Sequence, residues 1–257
     1  METTPSHAFE KLLRIMNELR ERCPWDQKQT METLRPLTIE ECYELSDALI
    51  QMNPNEIKNE LGDLFLHLVF YTKIAEEKNW FNVSDVLHTL CEKLIHRHPH
   101  IYGNLTVKNE EEVKRNWEQL KLKEGRSGVL EGVPTGLPSL VKAWRIQEKA
   151  AGIGFDWKEP SGSFDKIKEE WDELASAIQT ATPEEQELEL GDVLFSIVNY
   201  ARHLGINPDS ALEKSNRKFI ARFQLMEKMC THQNMNDLNE KEWDLLWESA
   251  KKSIKTQ

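Results

Sequence analysis

Glycine and proline are scarce in this chain of 257 residues, eleven and ten respectively. That scarcity excludes a collagen-like, low-complexity or loop-dominated protein. Cysteine is scarcer still. Cys23, Cys42, Cys91 and Cys230 lie far apart without a CxxC pair, so neither a disulfide framework nor a zinc site is expected. No apolar run approaches the ~18 residues needed to cross a bilayer. The opening METTPSHAFEKLL lacks a basic region followed by an apolar core, which argues against secretion. The expectation is a cytoplasmic protein with reduced thiols and no membrane partner. There is no GxxxxGK[ST] loop, so a P-loop enzyme is excluded. No segment alternates apolar and polar residues as a half-buried strand does. Positive charge is also in deficit, with 33 Lys and Arg against 44 Asp and Glu and a net charge of −11. Such a surface repels a phosphate backbone and argues against stable nucleic-acid binding. It leaves room for a phosphorylated small molecule, because acidic groups hold a cation and the cation holds phosphate.

What the chain does contain is a duplication. Residues 40–65 read EECYELSDALIQMNPNEIKNELGDLF, and residues 169–194 read EEWDELASAIQTATPEEQELELGDVL. Without a gap, Glu40, Glu41, Glu44, Leu45 and Ala48 fall on Glu169, Glu170, Glu173, Leu174 and Ala177. Glu60, Leu61, Gly62 and Asp63 fall on Glu189, Leu190, Gly191 and Asp192, and Pro54 falls on Pro183. Outer pairs align more loosely: Lys93 and Arg97 with Lys218 and Arg222, Trp117 and Lys121 with Trp247 and Lys251. The reading is two copies of one module. One spans 1–124 and the other 138–257, joined by a linker over 125–137 whose GRSGVLEGVPTG is rich in Gly and Pro. Leu61, Leu64, Phe65 and Leu68 recur at helical spacing, as do Leu190, Val193, Leu194 and Ile197. Pro54 and Pro183 suit helix starts, with Asn53 and Thr182 as caps. The fold class is all-α.

On a helix, residues at i and i+3 share a face. Glu170 and Glu173 therefore project together, and Glu189 and Asp192 project together from the next helix. A short loop makes those helices antiparallel neighbours and can gather all four groups. Clustered carboxylates repel, and a bare buried cluster shifts its pKa values or unfolds. A hard divalent cation removes the difficulty, and all-oxygen ligation favours magnesium or manganese over zinc. A lone EExxE in so acidic a chain is usually a solvated helix face. The same quartet written twice, with ELGD, is not so explained. Lys218 and Arg222 add positive charge at one-turn spacing, suited to phosphate oxygens, although an ordinary basic helix face has the same spacing. Asn216 adds an amide nearby. Trp247 and Lys251 suit stacking on a base and neutralising phosphate, or equally the packing of a terminal helix. His96, His98 and His100 invite a zinc reading, but such a site would want ligands from elsewhere and a second shell, and they are read as structural.

The pattern Glu169, Glu170, Glu173, Glu189 and Asp192 resembles the MazG family of nucleoside triphosphate pyrophosphohydrolases. CPWD, RHPHIYG, VLEGVP, GFDW, ELGDVLF, YARHLG and KFxxRF extend the resemblance to the two-copy bacterial members over nearly the whole chain. The resemblance implies an all-α fold with helical bundles completed by dimerisation. It also implies hydrolysis of nucleoside triphosphates between the α and β phosphates, with broad base tolerance. By that pattern Glu170, Glu173, Glu189 and Asp192 are magnesium ligands, and manganese can substitute. Glu41, Glu44, Glu60 and Asp63 are their counterparts in the first copy. Lys218 and Arg222 contact the triphosphate, and Trp247 lies near the nucleotide. Glu169 or Glu170 is the leading candidate for general base. Lys168, Asn199, Asn216, Lys218, Arg222, Trp247 and Lys251 make up the candidate substrate-binding set.

The rival reading is a metal-dependent nucleotide sensor that binds triphosphate without hydrolysing it. A helical scaffold using paired carboxylates for assembly explains neither the repeated ELGD nor the basic pairs. The copies also differ from each other. Ser196 and Asn199, polar residues following Asp192 on its face, correspond to His67 and Phe70, and Asn216 corresponds to Cys91. The second copy keeps hydrogen-bonding groups that the first has lost, so residues 138–257 are expected to carry most of the catalysis.

Overall fold

The structure is a computed structural model that describes residues 4–109, 112, 113, 116, 117, 120, 128–230 and 235–255. Among the described residues every regular element is helical, as expected. No helix among them is long and apolar enough to cross a membrane. Six of the ten prolines open helices: Pro5, Pro54, Pro99, Pro160, Pro183 and Pro208. There the missing N–H has no intrahelical partner to lose, so proline acts as a helix start rather than a loop former. The chain forms two compact units, Met1–Thr106 and Val107–Gln257.

In the first unit, α1 (Pro5–Arg22), α2 (Met31–Gln51), α3 (Pro54–Glu77), α4 (Val83–Arg97) and the short α5 (Pro99–Tyr102) follow in order. Thr30 and Thr33 form a reciprocal cap on α2, and Asn53 caps α3 through Asn55 and Glu56 N–H. Only Met52 and Asn53 separate α2 from α3, so the two pack antiparallel along their length. Met16, Leu34, Val69, Phe70 and Ile74 form the core where α1 closes over this pair. Arg20 ties α1 to the end of α3 through two bonds to Glu77, of 3.0 and 2.6 Å, while its guanidinium lies over the Phe70 ring. Those bonds raise the Arg20 pKa and hold the Glu77 carboxyl below its usual range.

The second unit repeats the plan with α6 (Ser139–Gly152), α7 (Pro160–Thr180), α8 (Pro183–His203), α9 (Pro208–Met229) and α10 (Glu240–Lys255). Thr182 and Glu185 form the capping box of α8, at the position read as a cap from sequence. The α7–α8 pair is the counterpart of α2–α3, with α6 packed on α8. Phe219 and Phe223 of α9 meet Trp247 and Trp243 of α10, which fastens the last helix. Residues 128–137, part of the segment read as a linker, are seated on α6. The ammonium of Lys149, only 1% exposed, donates to the carbonyls of Val129 at 3.0 Å and Glu131 at 3.3 Å. Residues 125–127 of that segment, and Lys121, lie outside the described residues.

Phe70 is 2% exposed at the centre of the first core. Truncating it to alanine removes buried area and leaves a cavity, a combination that costs about 3–5 kcal/mol. Chemical denaturation of Phe70→Ala is expected to show a loss in that range, and a loss below about 1 kcal/mol contradicts this packing.

Candidate functional site

The α7–α8 seam gathers the carboxylates as the spacing requires. Oxygens of Glu170, Glu173 and Glu189 all lie within 4.8 Å of one another. Glu170 is the buried member, Glu189 is half-buried and Glu173 is exposed. Burial, then repulsion from Glu170 and Glu189, raises the Glu173 pKa above that of an ordinary glutamate. Asp192 falls outside this trio but lines a cavity together with Glu170. The α2–α3 seam gathers Glu41, Glu60 and Asp63 within the same limit. Here Glu44 is the fourth member, hydrogen-bonded to Glu60. Burial and neighbouring carboxylates raise Glu41 and Glu60 as well, and Glu60 Oε2 is buried without a hydrogen-bond partner. An orphaned carboxylate oxygen beside others that repel it is a donor set suited to a hard divalent cation.

Of the two neighbouring lysines, Lys168, a substrate-binding candidate from the sequence, stands apart from the carboxylates. Lys168 is exposed, bonds Asp165 at 2.8 Å and lies over the Phe164 ring. Lys166 is the one beside the carboxylates, 2.7 Å from Glu169 and 2.6 Å from Glu170. These bonds raise its pKa and offset part of the cluster's negative charge. The signal was available, since Lys166 stands at i, i+4 to Glu170. Glu169 stays exposed at the edge, outside the trio.

A cavity of about 420 Å³ opens beside this seam, between α6, α7 and α8 and under Leu130. Its wall is largely apolar, with Leu130, Ile146, Phe155, Trp157 and Phe195, while Lys166, Glu170 and Asp192 also line it. Its size lies within the range of small-molecule sites. Asn199, expected in the site, lines the cavity and is buried. Arg202 holds it, donating from Nε at 3.1 Å and Nη2 at 2.8 Å to Asn199 Oδ1. Asp156 holds Arg202 in turn, accepting from both terminal nitrogens, 2.9 Å from Nη1, and meets His203 at 2.9 Å. Burial opposes ionisation of Asp156, but the bonds and charge of Arg202 outweigh it and keep the carboxyl below its usual range. Asp156 and Trp157 belong to GFDW, and Arg202 and His203 to YARHLG. Both motifs are visible in the sequence, but their pairing is not.

Among the described residues of the first unit, the corresponding place is packed with core side chains. In the register that pairs Glu41 with Glu170, Leu34 replaces Ser163, Leu37 replaces Lys166, Phe70 replaces Asn199 and Ile74 replaces His203. Leu34, Phe70 and Ile74 are buried core residues with Leu37 packed against them. Ser196 is buried and bonds the Asp192 carbonyl, whereas its counterpart His67 is buried against Thr38.

The remaining candidates form a separate group on α9 and α10. Lys218 is exposed, and Asn216 is exposed with a 3.4 Å bond to Glu213. The Arg222 guanidinium lies over the Trp247 ring with its Nε buried and unpartnered, and Lys251 bonds Glu248 at 2.8 Å. Among the described residues no hydrogen bond or ion pair joins this group to the carboxylates.

Residues 29–102 and 159–225 each match the model of the MazG nucleotide pyrophosphohydrolase domain. The chain is 45% identical over 250 residues to a Thermotoga maritima protein named nucleoside triphosphate pyrophosphohydrolase/pyrophosphatase MazG, covering 95% of each. It is 36% identical over 257 residues to the Escherichia coli nucleoside triphosphate pyrophosphohydrolase, covering 96% of this chain and 98% of that one.

Glu173→Gln removes one charge at nearly constant shape. Calorimetric titration with Mn²⁺ is expected to find fewer ions bound per chain than in the native protein, with helicity unchanged. Equal stoichiometry and affinity in the two proteins removes Glu173 from the metal site.

Proposed function

Because the chain belongs to the MazG nucleotide pyrophosphohydrolase family, we propose that it hydrolyses nucleoside triphosphates to monophosphate and pyrophosphate. The cofactor is Mg²⁺, with Mn²⁺ able to substitute. The observation that carries this reading is the union of two features in Glu170, which belongs both to the carboxylate trio and to the wall of a nucleoside-sized cavity. Glu170, Glu173, Glu189 and Asp192 hold the cation. Once bound, it neutralises the phosphate chain and polarises the α-phosphoryl group. Glu169, exposed at the cluster's edge and held by Lys166, takes the proton of the attacking water. Water oxygen bonds to the α-phosphorus, the bridge to the β-phosphate breaks, and its electrons leave with pyrophosphate. The apolar wall accepts purines and pyrimidines alike, which is the basis of a broad base tolerance.

In this reading the second copy carries most of the turnover. The first keeps its carboxylates, yet Leu34, Phe70 and Ile74 occupy the place of the cavity, so it serves in assembly or regulation. Two double variants test the division. Glu173→Ala with Asp192→Ala is expected to lower pyrophosphate release by about 10²–10³-fold or more, on the scale of losing key electrostatic groups. Glu44→Ala with Asp63→Ala is expected to retain most of it. Chelation abolishes release from the native protein, and calcium supports it poorly because its larger, looser coordination misplaces the phosphates. Nucleotide binding without any pyrophosphate release identifies a sensor instead, and the reverse pattern of variants overturns the assignment of copies.

The chain pairs with a second copy. Leu190, Leu194 and Ile197 of α8, with Trp171 and Ile178 of α7, expose large apolar surfaces, and Leu61, Phe65 and Leu68 of α3 repeat the pattern. Gly62 and Gly191 sit inside helices, where glycine costs about 1 kcal/mol, and a Cβ at either meets nothing within 4 Å. A close approach by another copy explains both features. The four cysteines are thiols rather than disulfides among the described residues, which fits a reducing cytoplasm. Light scattering is expected to report a dimer, and Gly191→Leu is expected to shift it toward monomer. A native monomer at micromolar concentration rejects the pairing.

A further inference from the structure

Two amides in the wall of the second unit's cavity are fixed in opposite senses. Gln147, on α6, lines the cavity and is 6% exposed. Its Nε2 donates to the Phe195 carbonyl at 2.8 Å, which leaves Oε1 buried with no hydrogen-bond partner. The orientation is chemically determined, since a reversed amide would set oxygen against oxygen. Asn199, on α8, has its Oδ1 taken by two nitrogens of Arg202, so its amide nitrogen is the end left for a ligand. A guanidinium has only donors, and this amide cannot reverse either. One wall therefore offers an acceptor that lacks a donor, and another offers a donor. Asn199 also follows Asp192 by two helical turns, about 10 Å along the axis, the direction in which a nucleoside extends from a phosphate held at the carboxylates.

We propose that Gln147 Oε1 and Asn199 Nδ2 read the hydrogen-bonding edge of the base, with Arg202, held by Asp156, as the residue that positions Asn199. This deepens the proposed function and rests on the same cavity. Every common base edge carries an acceptor beside a donor, such as O6 and N1–H of guanine or O4 and N3–H of uracil. Guanine and uracil meet one fixed donor and one fixed acceptor directly, while adenine and cytosine, whose donor and acceptor stand in the reverse order, meet them with the base turned over. The two amides reject a base whose edge nitrogen is alkylated, because a methyl group there leaves the buried Gln147 oxygen unpaired and crowds it. The ligand class is nucleotides with an unblocked base edge, and the site discriminates against N1-methylguanine and N3-methyluracil.

The test is calorimetric binding of GMP against N1-methyl-GMP, and of UMP against N3-methyl-UMP, to the full chain with Mg²⁺ present. Monophosphates report on the cavity whether or not the chain hydrolyses triphosphates. Absent pyrophosphate release thus sinks the catalytic reading without touching this one. The native protein is expected to bind each methylated form at least about tenfold more weakly, the scale of one buried hydrogen bond. Gln147→Met removes the orphaned acceptor at similar volume and is expected to bring both ratios to within about twofold. Arg202→Met is expected to weaken the discrimination while the Mn²⁺ stoichiometry stays native, a separation that general loss of structure does not produce. If Arg202→Met does not fold, the Gln147→Met ratios decide. Equal affinity for methylated and unmethylated nucleotides in the native protein overturns the proposal, as does undiminished discrimination in Gln147→Met.

Discussion

Carboxylates held within touching distance repel one another, and each seam of this protein is arranged around that repulsion. Side chains on a free helix would turn away from each other into water. In the second unit Leu174 and Ala177 of α7, with Val193 and Val198 of α8, are buried beside the acidic positions and fix the rotation of both helices. Caps at Thr182 and Asn53 set where each second helix of a pair begins, and hence which residues meet across the seam. The acidic groups are left a choice between taking up protons, as the raised pKa values of Glu41, Glu60 and Glu173 record, and taking up cations. Lys166 supplies a built-in cation to one seam. Its counterpart is Leu37, so the first seam has no ammonium in that position.

The two copies put the same scaffold to different ends. In the first unit the space beneath the seam is packed with Leu34, Phe70 and Ile74, where dispersion and burial stabilise the fold. In the second unit the same positions hold Ser163, Asn199 and His203, and the space is a cavity. A cavity forfeits packing contacts, and buried polar side chains need partners. The partners are present: Ser163 bonds the Pro160 carbonyl, Arg202 bonds Asn199 and Asp156 bonds Arg202. Concessions in packing concentrated at one place are what a binding site looks like when compared with its own duplicate.

Much of this was legible in the sequence, and the limits have physical reasons. Helical period, proline and capping residues are local signals, and they located α3 and α8 with their caps. The i, i+3 spacing of EExxE and ExxD is likewise local, and the seam formed. The cavity was not legible, because its wall comes from α6, α7, α8 and Leu130, and no local pattern says how three helices and a turn enclose space. The contrast of Asn199 with Phe70 is visible in the sequence, but it does not say that one lines a cavity and the other is packed in a core. Lys166 carries a local signal, since helical geometry brings it at i, i+4 to Glu170, whereas Lys168 at two residues' distance is turned away. Asp156 and Arg202 are distant in sequence, so their pairing awaited the fold.

The Asp156–Arg202 pair also settles the electrostatic character of the cavity. Arg202 alone would make that wall cationic and attract phosphate to the end farther along α8. Paired with Asp156 through both terminal nitrogens, it contributes little net charge and acts through orientation, holding one amide. The apolar side chains around it add none. Charge is thus confined to the end where Lys166, Glu170 and Asp192 stand, and neutral hydrogen-bonding groups occupy the rest. A nucleotide has the same polarity, with charged phosphates at one end and a neutral, edge-bonding base at the other. In the proposed reading, reversing the ligand would part the phosphates from the cation proposed at the carboxylates and set a neutral base against those charged groups, and both changes are unfavourable. In that reading the segregation of charge along α8 favours one direction of entry for a nucleotide, before any single contact to it is counted.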